Sequence, residues 1–172
     1  MNRDSTKRIS GFALAIPLAL GLSACGGDGE SPTSATPSPD VAGRYSLTWT
    51  LQVLRKSDGF QKQFTCYGAM TLSAGTASGS TTALGGFATV TSSCPPESYE
   101  LQGSIGSGGV IEFTTNGPKP PEGPCPGGKN VRFSGQMTGS GTSRFVSARG
   151  ATGVTCPGFG EHELTYLISA SK

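Results

Sequence analysis

A seven-residue pattern that returns four times along the chain limits its fold more than any other feature. In Phe64-Thr65-Cys66-Tyr67-Gly68-Ala69-Met70 the alternate positions Phe64, Cys66 and Met70 are apolar, with Gly at the third of them. The pattern recurs at 99–105 and 131–137, and again at 162–168 with Tyr166 in place of the Gly. A period of two is the signature of a strand with one buried and one wet face. The starts at 64, 99, 131 and 162 are separated by 35, 32 and 31 residues, enough for one hairpin with its connections per repeat.

Tyr45, Leu47, Trp49, Leu51 and Val53 alternate with Ser46, Thr48, Thr50 and Gln52, which adds a strand before the first copy. Weaker strand signals at 86–91, 110–114 and 144–148 fall between the copies, and no stretch beyond residue 40 carries a helical period. Eight short strands joined by Gly/Ser turns such as 106–109 and 139–143 predict an all-β domain, an eight-stranded antiparallel up-and-down barrel. A two-sheet β-sandwich is the alternative. Longer connections are expected at 73–84, 115–129 and 149–160.

Asp58-Gly59 reads as a two-residue type I′ hairpin turn. That turn would place Val53 opposite Phe64, Leu51 opposite Cys66 and Trp49 opposite Gly68, where a missing side chain leaves room for the indole. The face away from the core carries Gln52, Glu100, Gln102, Glu112, Arg132, Ser134, Gln136, Glu161 and Glu163. A barrel with its outer band in lipid would be apolar there.

The first 40 residues have a different character. Arg3, Lys7 and Arg8 precede an uncharged run from 9 to 21, and Leu22-Ser23-Ala24-Cys25 closes it. The order of basic, apolar and small residues is that of an export signal. The four closing residues resemble the lipobox of bacterial lipoproteins, which is cut before the Cys. The resemblance implies a signal peptide at 1–24, lipid on Cys25 and a membrane partner through that lipid. It also implies an address in the bacterial cell envelope, with Gly26 after the Cys favouring the outer membrane. Residues 25–40 comprise this Cys and a Gly, Ser, Thr and Pro tether, and at about 3 Å per residue such a tether reaches roughly 40 Å. A single domain at 41–172 follows.

Removing 1–24 takes three of the 13 basic and one of the 11 acidic residues, leaving ten of each. The mature portion is neutral and supplies no clustered positive surface of the kind nucleic acid requires, so that partner class is set aside. With Cys25 assigned to lipid, Cys66, Cys94, Cys125 and Cys156 remain, and an even number in an exported chain predicts two disulfides. Metal is not expected, since there is no Cys-x-x-Cys pair and His162 is the one His. Cys94, Cys125 and Cys156 each precede a Pro and lie five or six residues before a template strand, in equivalent loops. In a meander those loops share one rim with the Asp58 turn. Nearest-neighbour placement favours Cys66 with Cys94 and Cys125 with Cys156; joining Cys66 to Cys156 is the alternative.

Gly43-Arg44-Tyr45 at the start of the first strand, with the eight-strand meander, resembles the small lipocalin-like barrels. Tyr stands where that family has Trp. The resemblance implies a barrel mouth that takes a small apolar ligand. His162, Tyr99 and Phe64 occupy equivalent inward positions at the cysteine-bearing rim and are the candidate ligand-rim residues, although a hydrogen-bonded wall role for the His and core roles for the aromatics are the commoner reading of such positions. Arg55 and Lys62 should form a small basic spot beside the turn. The domain's one Asp and one His offer no nucleophile triad, so no enzyme, catalytic residue or cofactor is expected. The functions expected are binding of a small apolar ligand at the stapled rim or, with a filled core, a structural or protein-interaction role in the envelope.

Overall fold

The structure, a computed structural model, describes residues 40–172. The export signal, Cys25 and the tether up to residue 39 lie outside the described residues. Eight antiparallel strands close into a barrel in sequence order, with β1 (Gly43–Arg55) also pairing with β8 (Gly160–Ser171). Between them run β2 (Gln61–Ser78), β3 (Thr81–Ser92), β4 (Glu97–Gly106), β5 (Val110–Thr115), β6 (Val131–Ser140) and β7 (Ser143–Cys156). The barrel, rather than the sandwich, is the fold, and closure leaves no sheet edge unpaired.

The inward positions of the four-fold pattern are where alternation puts them. Cys66, Met70, Leu101, Ile105, Phe133, Met137, Leu164 and Ile168 are all buried. The charged outward residues Glu100, Glu112, Arg132, Glu161 and Glu163 are exposed. Gly68, Gly103 and Gly135 serve close strand approach rather than an indole. A Cβ at each would overlap a backbone carbonyl of the next strand, those of Thr89, Glu112 and Ser147 respectively.

Three local expectations are corrected. The first hairpin pairs Leu51 with Phe64, Trp49 with Cys66 and Leu47 with Gly68, a slip of two residues from the expected register. Its loop is Lys56-Ser57-Asp58-Gly59, closed by Arg55 N–H donating to Phe60 O at 2.9 Å and Gly59 N–H donating to Arg55 O at 2.9 Å. Gly59 alone is left-handed, at φ +73°. The Asp58 carboxylate is drawn back onto Arg55, at 2.8 and 2.7 Å, and onto Phe60 N–H at 3.1 Å, which favours the wider loop. A slip of two preserves every inward face, so the core pattern tolerates either register.

The stretches 73–84 and 149–160 are mostly strand. β2 and β3 meet at the two-residue turn Gly79-Ser80, and β7 pairs with β8 as far as Cys156 opposite Gly160. Small residues hide the alternation there, and ladder hydrogen bonds to a long partner make the strand.

Aromatic side chains crowd the interior. Trp49 is fully buried, with the rings of Tyr99, Phe133 and Tyr166 edge-on to it at centroid distances of 5.4, 5.9 and 6.2 Å. Phe113 stacks on Phe133 at 5.1 Å. Such aromatic pairs add about 0.5–1.5 kcal/mol each beyond their burial.

The two rims differ. Connections 79–80, 107–109 and 141–142 make a tight-turn rim, where the chain enters through buried Val41, whose carbonyl accepts the Tyr45 hydroxyl at 2.8 Å. Desolvation is the main reason that the Tyr45 phenol is held above its ordinary pKa. The opposite rim carries 56–60, 93–96, 116–130 and 157–159.

Candidate functional site

Disulfides Cys66–Cys94 and Cys125–Cys156 staple this second rim. The first ties the 93–96 loop to the inside of β2. The second ties the long 116–130 connection to the end of β7.

That long connection folds down into the mouth of the barrel. Gly117 N–H donates to Gly128 O at 2.9 Å, and Asn130 N–H to the Asn116 side-chain oxygen at 2.9 Å, closing its neck. Tyr166, which takes the place of the template Gly in β8, reaches up to meet it. Its hydroxyl accepts from Gly128 N–H at 2.8 Å and donates to Pro118 O at 3.3 Å. Burial is the main reason the Tyr166 phenol is pushed up to about 12, against the opposing Gly128 bond.

What remains of the mouth is an open cleft of about 240 Å³. Val53 and Arg55 of β1, Lys62 and Phe64 of β2 and His162 of β8 form its strand side. Pro120, Pro124 and Cys125 of the long loop close the other side, with Phe60 and Phe159 at the lip. Phe60 is 54% and Phe159 52% exposed, large values for aromatic side chains beside each other's cleft.

The candidate rim residues separate here. Phe64 and His162 share the cleft. Tyr99 does not; it is buried with its ring against Trp49, and its hydroxyl donates to Glu97 at 2.9 Å. Burial first, and the Glu97 bond second, push the Tyr99 phenol well above its ordinary range. The basic spot is also neutralised. Arg55 pairs with Asp58 at 2.7 Å and lies over the Phe60 ring at 5.1 Å, while Lys62 pairs with Glu122 and lies over Phe64 at 5.2 Å. The Asp58 carboxyl is held below its usual range, chiefly by the Arg55 bond and then by Phe60 N–H.

His162 is 6% exposed, with Nδ1 3.1 Å from Gly160 O. Its ring and the sulfurs of Cys125 and Cys156 lie together, one ligating atom from each within 4.8 Å of the others. Sequence spacing hides this grouping, because Cys125 joins it only through the docking of the 116–130 loop. The lip aromatics Phe60 and Phe159 were missed too; each sits beside a turn Gly, where exposed aromatics read as ordinary loop residues.

The geometry defines a class: a closed, disulfide-stapled, eight-stranded up-and-down barrel, an architecture it shares with lipocalin-like barrels. Comparison with protein-family models, curated proteins and solved structures finds no match.

Proposed function

We propose that the chain is a lipid-anchored module of the bacterial cell envelope that binds a protein partner at its stapled rim. In this reading Cys25 carries the lipid, the outer membrane is the address, and the tether holds the barrel by its tight-turn rim. The supporting geometry is that Val41 lies at the rim opposite the cleft, so the anchored molecule presents the cleft away from the bilayer.

One observation carries the choice of partner: Phe60 and Phe159 stand half-exposed at the lip of an apolar cleft of about 240 Å³. Pockets that enclose small ligands begin at roughly 300 Å³. A shallow apolar cleft with aromatic lips suits one anchoring side chain, aromatic or long and apolar, of a partner protein. The buried aromatic core of Trp49, Phe133 and Tyr166 beneath the mouth supports a shallow site over a deep one. A small apolar ligand in the mouth is the second reading, favoured by the cleft's apolar lining alone.

A photo-crosslinking residue at position 159 in intact cells tests the choice, with position 145 on the outer wall as the control. The expected result is a discrete protein adduct from 159, lost with Phe60→Ser and absent from 145. Native mass spectrometry of the full-length chain in detergent, carrying a stoichiometric small apolar molecule and no adduct from 159, would establish the second reading instead. Labelling with a palmitate analogue, abolished by Cys25→Ser, tests the anchor.

A further inference from the structure

We propose that Cys125, Cys156 and His162 form a redox-gated site for a thiophilic divalent metal ion such as Zn²⁺, closed while the two sulfurs are bonded and open when they are reduced. Three elements bring the ligands together: the docked 116–130 loop, the end of β7 and the start of β8. The two sulfurs are joined as a disulfide and a ring nitrogen of His162 lies within 4.8 Å of both, so that reduction, which lets the sulfurs part, leaves three donors around one point.

One nitrogen of the imidazole is already held by the backbone. Gly160 O can only accept, so the ring contact at 3.1 Å places the proton on Nδ1 and leaves the neutral ring's lone pair on Nε2. Metal-binding histidines characteristically donate their other ring N–H to a backbone carbonyl in this way. Two thiolates and one divalent ion are neutral together, which limits the cost of charge at a buried position.

Gating follows from the chemistry of sulfur. A disulfide offers no thiolate, and the thiolate is the ligand. A dithiol reductant supplies the two electrons. One of its thiolates attacks Sγ of Cys125, a residue that lines the rim cleft, and Cys156 leaves as thiolate. The reductant's second sulfur then displaces Cys125, becoming a disulfide itself. Metal binding drives off any protons the two thiols have taken up. Hydrogen bonds of the loop to Tyr166, and those across its own neck, hold Cys125 near the other two ligands after the covalent tie is cut. Three protein donors leave a fourth position for water or an outside ligand.

The test is a Co²⁺ titration of the full-length chain in detergent, reduced with a phosphine that is then removed, beside the oxidised chain. One equivalent should bind to the reduced chain with thiolate-to-cobalt absorption, displaced by Zn²⁺, and none to the oxidised chain. Cys66→Ser with Cys94→Ser should keep the band, Cys125→Ser with Cys156→Ser should abolish it, and His162→Gln should weaken binding by about tenfold or more. A reduced chain without the band overturns the proposal, as does an undiminished affinity in His162→Gln. So does a reduced chain that loses the near-ultraviolet circular dichroism of Trp49 and does not regain it with cobalt.

Discussion

The Tyr166 hydroxyl accepts a hydrogen bond from Gly128 N–H at 2.8 Å, joining the aromatic core around Trp49 to the loop that closes the mouth. Both groups are buried. Tyr166→Phe keeps the ring and its packing but leaves a buried N–H without a partner. The expected loss is about 1–3 kcal/mol, read as a lower urea midpoint with an unchanged slope.

The same residue gives the barrel an alkaline limit. Tyr166 is held near 12 in the folded state against 10 when unfolded, and Tyr99 is raised in the same direction. Between these values the unfolded chain has lost the proton that the folded chain keeps, so stability falls as pH rises. The contribution is intact below pH 10 and is lost through about 12, amounting to roughly 2–3 kcal/mol for Tyr166. Urea midpoints measured across this range should decline, and Tyr166→Phe should decline less steeply.

Glycine substitutions should separate close strand approach from mere turn preference. Gly103→Ala and Gly135→Ala push a methyl group into the backbone of Glu112 and Ser147, and each should cost about 1–3 kcal/mol or more. Gly108→Ala, with open space around it, should stay within about 0.5 kcal/mol of the parent. Thermal unfolding of the three variants checks the order.

The disulfides span 28 and 31 residues, nearly equal loops, so their removal should cost similar amounts. About 2–4 kcal/mol is expected for each pair replaced by Ser. A midpoint that does not move with reductant would refute both as structural ties.

Much of this fold was legible because alternation is a local property. Tyr45 to Val53 and the four template copies declared their inward faces without any knowledge of their partners. The meander then followed from short connections, and cysteine pairing followed from which loops share a rim. The Asp58-Gly59 signal erred because a carboxylate captured by Arg55 widens the turn, and that capture depends on side-chain geometry rather than on the dipeptide. β7 ran past its expected end because Ala151, Thr152 and Gly153 have no apolar rhythm and become strand only against β8.

The candidate site was legible in part. Phe64 and His162 meet in the mouth as inward positions at one rim should, whereas Tyr99 turned to the core. The sequence by itself determined an all-β chain, its number of strands, the side of each that is buried and which rim carries the sulfur. Only the tertiary structure decided the register of the first hairpin, the filling of the barrel by Trp49 and Tyr166, and the meeting of Cys125, Cys156 and His162. The physical reason is distance along the chain. Inward and outward are settled by a residue's immediate neighbours, but what a side chain touches depends on how the barrel closes and how its longest loop docks.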